Sequence, residues 1–385
     1  MTSASDRAGH PTTLRGAFSS AVILRLILGW GTFVATLVAR PWLHGTLSTP
    51  VLTAVLVGII TVIILCAFGV VAQAEHLAHR LGDPYGTLIL TLSIVIIEVI
   101  LISAVMLGPG DHTTIARDSV MAVSMIILNL VIGVALIVGG FRHGGMLPNR
   151  TGTSAYLSVL VVLTTMAFVM PGLIGSDGTY TTAQEIPIIV FTVMLYVFFL
   201  YRQMGAQRGD FQEVDSRPEE TSAPSAGIRD VLVDHRREIL TRSAILLLTV
   251  LPIVLLSHDM ATLLDDGLAR AGAPGALSGV LIAMVVFLPE TLTTIRAAHQ
   301  GEIQRVSNLC HGALVSTVGL TIPAVLTIGM LTGQRVELFE SPTNLVLLAV
   351  TLMLSVATFT GRRVTALHGA AHLMVFVVFG LSIFS

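Results

Sequence analysis

The sequence predicts an all-α membrane protein of about eleven transmembrane helices, one N-terminal helix followed by two inverted five-helix repeats. Three observations carry this. The 385 residues are 54% hydrophobic and 11% charged, with mean hydropathy +0.86, whereas soluble domains carry roughly 25% charged residues. The apolar runs are continuous over bilayer-spanning lengths of about 20 residues; a barrel would alternate over segments of about ten. One polar stretch, 203–241, divides the chain. Water is therefore not the main solvent, and a soluble enzyme is excluded. A formal net charge of -2 offers no field for nucleic acid. Cys66 and Cys310 lie inside apolar runs, which does not support a disulfide framework.

Residues 1–17 are polar and carry Arg7 and Arg15. The long apolar run behind them lacks an A-x-A cleavage site, the pattern of a signal-anchor helix. Helices are expected at about 18–39, 51–79, 86–107, 117–140, 153–172, 184–202, 242–258, 276–298, 306–331, 342–359 and 365–384. This divides the chain into a tail and first helix (1–50), a first repeat (51–202), a cytoplasmic acidic loop (203–241) and a second repeat (242–385). All 21 cationic residues are arginine. With the N-terminus inside, 16 of them fall in cytoplasmic segments and four outside, as the positive-inside rule requires. Arg25, within the first helix, can snorkel. Asp111, Asp118, Asp177, Asp259, Asp265, Asp266, Glu337 and Glu340 fall in outer loops, solvated or concentrating cations. Five helices per half is odd, so the halves enter the membrane from opposite sides, as in many secondary transporters.

Ionisable residues at mid-bilayer cost about 2.5–3.5 kcal/mol each on the insertion scale. Glu98 sits near the middle of the third helix and Glu290 near the middle of the eighth, at matching places in the two halves. Thr87, Thr91 and Glu98 fall within about 40 degrees of one another on a helix. Thr293 and Thr294 share the face of Glu290. These threonines either line a cytoplasmic vestibule or bond back to their own helix carbonyls. Pro289 frees a carbonyl one turn earlier, a potential cation ligand in a broken helix. Ser124 and Asn129 on the fourth helix, and Asn308, His311, Ser316 and Thr317 on the ninth, either complete a coordination shell or bond between helices. Glu75, near the cytoplasmic end of the second helix, either relays protons or pairs with Arg80. His368 and His372 share a face of the last helix, but a zinc site needs three or four ligands, and packing or proton relay suits them better.

These residues resemble a known pattern. Glu75-His76-Leu77-Ala78, Gly82, Gly86 and the run from Ser93 to Glu98 are similar to the first signature of cation/proton exchangers of the calcium/cation antiporter superfamily. Pro289-Glu290, Asn308-Leu309 and Gly319-Leu320-Thr321-Ile322-Pro323 resemble the second. His368-Gly369-Ala370-Ala371-His372-Leu373 resembles the end of the ChaA-type bacterial branch. The resemblance runs from about residue 20 to the end. It implies eleven helices, a nonessential first helix, an acidic central loop, and exchange of calcium, sodium or potassium for protons. It also implies Glu98 and Glu290 as shared cation/proton ligands and Glu75 as a proton-pathway acid. The wider family has Gly-Asn-Ala-x-Glu around each glutamate; here Ile94-Val95-Ile96-Ile97-Glu98 and Val286-Phe287-Leu288-Pro289-Glu290 lack both asparagines. Calcium prefers six to eight oxygens, so the loss favours monovalent transport.

The expected function is cation/proton exchange by alternating access in a bacterial inner membrane, N-terminus cytoplasmic and C-terminus outside. A carboxyl removed from water prefers its neutral form, so protons and cations compete for the same two glutamates. The partners are the bilayer, inorganic cations and protons, with no cofactor beyond the transported ions; a homo-oligomer is left open. The alternatives are a passive cation channel, which needs a continuous polar pore, and an intramembrane metalloprotease, for which no HExxH motif is present.

Overall fold

The computed structural model describes residues 19–43, 45, 47–81, 113–214, 236–274 and 276–384, with ten further positions between 88 and 106. Outside 86–107, helices stand over the expected stretches, most with ends shifted by a few residues. They are α1 (Ser20–Leu43), α2 (Thr49–Leu81), α3 (Ile115–His143), α4 (Arg150–Ile174), α5 (Thr182–Met204), α6 (Arg236–Arg270), α7 (Ala276–Val286), α8 (Leu288–Gln300), α9 (Ile303–Thr332), α10 (Pro342–Thr360) and α11 (Ala366–Ser382). The ten described positions of 88–106 are all helical. Among the described residues, eight helices are long and apolar enough to cross a membrane, and α11 is a shorter apolar helix.

Local chemistry sets the ends. Asn149 and Ser341 accept hydrogen bonds from backbone amides inside α4 and α10, satisfying donors that a helix start leaves free. Thr181 with Gln184, and Thr365 with His368, form reciprocal caps on α5 and α11. Gly301 stops α8 at φ 87°, in the left-handed region that glycine enters without a Cβ penalty.

Four differences from the sequence reading have physical causes. The helix expected at 242–258 runs from Arg236 to Arg270, so Asp259, Asp265 and Asp266 lie on α6 and not in a loop. Buried Met260 and Leu263 extend its apolar face, and Arg270 pairs with Asp266 one turn away. The helix expected at 276–298 is broken at Phe287 into α7 and α8. Pro289 has no N–H and clashes with the carbonyl four residues back. The 203–241 loop is shortened at both ends: a 3-10 turn, Arg208–Phe211, follows α5, and residues 236–241 are helical. Finally, α3 and α4 contain π segments at Ile126–Val131 and Thr165–Val169, which a 3.6-residue period does not foresee.

The burial pattern locates the centre. Of their spanning windows, 83% of α3 and 67% of α9 are buried, against 11% of α1 and 17% of α5. Exposed Leu24, Ile27 and Val38 on α1, and Phe191 and Phe198 on α5, face outward. α2 lies along α6, and α1 packs on both. α3 packs on α11 while α9 packs on α5, so the third helix of each half meets the last helix of the other. α8 reaches into the centre against α2, α3 and α9.

The two ends are closed by loops. At one, residues 333–341 bond to 113, 168 and 178 through backbone amides, and Arg117 pairs with Glu337 at 2.8 Å. Burial pushes the Glu340 carboxyl there above the usual range, against the lowering effect of Asn344, Ser341 and Arg117. At the other end, Arg150 Nε donates to the Gly361 carbonyl and Arg305 N–H to Glu213 Oε1.

Candidate functional site

Phe287-Leu288-Pro289-Glu290 starts a helix inside the protein. Pro289 occupies the first turn of α8, where a missing N–H costs nothing, and Glu290 sits in the same turn. A helix start favours negative charge through its free amides and dipole. Glu290 is 5% exposed, and neither carboxyl oxygen has a hydrogen-bond partner. Glu98, on the helical stretch 88–106, is 6% exposed. Its Oε2 accepts from the Thr317 hydroxyl of α9 at 2.9 Å, and its Oε1 is without a partner. Glu98 acts electrostatically on Glu290, so the two sequence-matched acids lie within electrostatic reach of each other. Thr91 also faces Glu290, but its hydroxyl makes no well-formed hydrogen bond. Three buried carboxyl oxygens and the Thr91 hydroxyl thus lack partners. A buried polar group without a partner costs about 1–3 kcal/mol, more if charged, so these groups fit a cation or protons.

The other expected residues divide. Thr91 lines a cavity of about 10 Å³, with Leu88, Tyr156, Phe199, Gln203, Asn308 and Ser316 also on its wall; that is room for about one water. Thr293 bonds back to the Pro289 carbonyl at 2.9 Å, so its hydroxyl serves the helix and not a vestibule. Thr294 instead accepts from the Cys310 thiol at 3.8 Å. Ser124 bonds back to Val120. Asn129 is engaged between helices: its Nδ2 donates to Thr351 Oγ1 at 2.9 Å, and its Oδ1 meets His372 Nδ1 at 3.3 Å. It fastens α3 to α10 and α11. Asn308 donates to the Phe211 carbonyl at 2.8 Å, and Ser316 accepts from the Tyr196 hydroxyl at 3.1 Å. His311 is fully buried, with Nδ1 at 2.9 Å from Ser307 Oγ. His368 serves as the α11 cap, separate from His372. Thr87 and the side chain of Glu75 lie outside the described residues. Among the described residues, no group of three or more His, Cys, Asp or Glu could hold a metal.

Sequence reasoning placed Thr317 on the ninth helix without assigning it to Glu98. Ser316 and Thr317 are adjacent, and spacing alone does not say which one faces the acid.

A bundle of membrane-spanning helices with two buried acids, Glu290 beside a helix break, fits the class of ion exchangers. The model for the sodium/calcium exchanger protein family matches residues 51–205 and 242–384, and the chain belongs to that family. It is 36% identical over 315 residues to the putative ionic transporter y4hA of Sinorhizobium fredii, covering 81% of this chain and 83% of the relative. It is 30% identical over 345 residues to the sodium-potassium/proton antiporter ChaA of Escherichia coli, covering 89% and 93%. Among solved structures, that of the Ca2+/H+ antiporter protein YfkE superposes with a TM-score of 0.65 at 14% identity, covering 94% of this chain and 99% of that one. Membership makes the chain a multi-pass membrane cation exchanger, not an enzyme, and sets aside the passive channel and the metalloprotease.

Proposed function

We propose that the chain exchanges sodium, potassium or calcium for protons by alternating access, with Glu98 and Glu290 as the shared ligands. The observation that supports this reading is a pair of buried carboxyls within electrostatic reach of each other, three of whose four oxygens have no hydrogen-bond partner. Ionised, the pair is costly unless a cation neutralises it. Protonated, it is neutral and holds a cation poorly. Cation and proton therefore exclude one another, and a site open to one side at a time turns exclusion into antiport. Four carboxyl oxygens and the hydroxyls of Thr91 and Thr317 offer six donors. Calcium takes six to eight oxygens, so the set is at its lower limit for calcium and ample for sodium or potassium. Kinship with ChaA supports the monovalent reading.

The architecture supporting this is eleven spans: α1, then two inverted halves of five, with α7 and α8 together forming one span. The reciprocal packing of α3 on α11 and α9 on α5 is what two interlocked inverted halves produce. The arginine distribution favours an inner-membrane protein with its N-terminus in the cytoplasm. Glu75 serves the proton pathway on this reading.

The test is cation-dependent proton flux in reconstituted vesicles. Glu98→Gln and Glu290→Gln should each abolish flux while the purified protein stays monodisperse and keeps its Tm. Wild-type flux from either variant sinks the assignment. Flux driven by calcium alone, with none from sodium or potassium, sinks the monovalent preference.

A further inference from the structure

We propose that Phe211 is the inner gate residue of the exchange cycle, a plug seated by the Arg208–Phe211 turn over the cavity that reaches Thr91. The proposal rests on the exchange reading of Glu98 and Glu290.

The turn lies in a polar stretch, Gly205 to Glu213, where a single aromatic residue is drawn inside. Phe211 is 2% exposed. Its ring packs edge-on against Tyr156 and Phe199, with centroids 5.2 and 5.8 Å away. Both of those rings line the cavity that holds Thr91, so Phe211 backs that part of the cavity wall. Its carbonyl accepts from Asn308 Nδ2 at 2.8 Å, and Asn308 also lines the cavity. The turn is held from three other directions. Asn149 Nδ2 reaches the Gly209 and Gln212 carbonyls at 3.2 and 3.4 Å. Glu213 Oε1 accepts from the Arg305 amide at the start of α9, at 2.8 Å. At Gly152 a Cβ would stand 2.0 Å from the Asp210 carbonyl oxygen, so the turn fits against α4 only because that residue is glycine.

The same helix touches the plug, the cavity wall and a carboxyl of the proposed site. On α9, Thr317 bonds to Glu98 and Asn308 bonds to Phe211. A displacement of α9 on cation release therefore acts on the binding carboxyl and on the plug together.

Two variants remove the plug by different routes. Phe211→Ala deletes the wedge; Gly152→Ala pushes the Asp210 carbonyl away and lifts the turn with Phe211 intact. Each is combined with Leu88→Cys, a cavity-wall reporter, in a Cys66→Ser, Cys310→Ser background. An impermeant maleimide is then applied to vesicles from the side carrying residues 205–214. Labelling is read on protein that elutes as a folded species. Both variants should label several-fold faster than the Leu88→Cys parent. Phe211→Trp, which restores a large ring, should return labelling to the parent rate; a merely structural role for Phe211 would lower the yield of folded protein without exposing Leu88→Cys. Parent-rate labelling in both Phe211→Ala and Gly152→Ala overturns the gate. Wild-type proton flux in Glu98→Gln would overturn the exchange reading instead, and leaves the labelling result to decide the gate by itself.

Discussion

A single hydroxyl separates the two acids of the site. Glu98 has one oxygen held by Thr317 at 2.9 Å, whereas Glu290 has neither oxygen held. A hydrogen bond to a charged group contributes about 1.5–3 kcal/mol, which corresponds to roughly ten- to hundredfold in affinity. Thr317→Val keeps the shape of the side chain and removes that donor. Its half-saturating cation concentration should rise by about tenfold or more, with a modestly lower Tm because Glu98 Oε2 loses its partner while no new cavity forms. An unchanged cation dependence in vesicle flux would show that Thr317 only packs. Glu98 and Glu290 were legible in the sequence because buried acids are scarce and these two match between halves. Thr91 was legible too, two helical turns from Glu98 on the same face. Phe211 was not, because one aromatic residue in a polar stretch gives no periodic signal; only the folded turn shows where its ring goes.

At the scale of elements, the decisive feature is the interruption between α7 and α8. Phe287 N–H still bonds to Ala283 and Thr291 N–H to Phe287, so backbone hydrogen bonds reach the junction from both sides. The Val285 carbonyl loses its usual donor, because residue 289 is proline. Pro289→Ala supplies the N–H that would let α7 and α8 join into one helix, and the ~3 kcal/mol cost of proline would apply only to that joined helix. We expect the variant to melt at a higher temperature and to bind cations more weakly, because a continuous helix re-aims Glu290 and withdraws the helix start from it. A higher Tm with unaltered cation affinity would make the break a mere tolerance of proline. The break was half-visible in the sequence through Pro289. The π segment in α3 was invisible: an extra residue in one turn rotates the remainder of the helix about its axis, and Asn129 consequently bonds Thr351 and His372 and not the glutamates. Continuous apolar runs fix where helices lie, but they do not fix rotation about the axis, which is why the sequence left Asn129 open between a coordination shell and interhelical bonding.

For the molecule as a whole, α1 stands outside the two halves, and the family resemblance implies that it is dispensable. Its contacts say what removing it leaves behind. Arg40 pairs with Asp259 of α6 at 2.9 Å, and Thr36 Oγ1 donates to the other carboxyl oxygen at 3.0 Å. Trp30 Nε1 donates to the Leu248 carbonyl, and Gly29 lets α1 come close to Cys66 and Pro252. Asp259 is 5% exposed at its side chain, while Arg40 is 37% exposed. The exposed partner is screened by solvent, so the pair itself contributes little; the larger quantity is the penalty of a buried carboxylate left alone, about 1–3 kcal/mol. A chain starting at residue 47 should therefore retain cation-dependent proton flux, since no residue of α1 touches Glu98 or Glu290 among the described contacts. It should also melt several degrees lower than the full chain. Asp259→Asn in the truncated chain should recover part of that loss, because a neutral amide tolerates the vacated site better than a charge does. The same substitution in the full chain should destabilise, because it breaks the pair with Arg40. Opposite signs of the Asp259→Asn effect in the two backgrounds, read from Tm in detergent, identify α1 as a clamp whose energy lies in one buried carboxylate. Equal signs would place its contribution in apolar packing along α2 and α6.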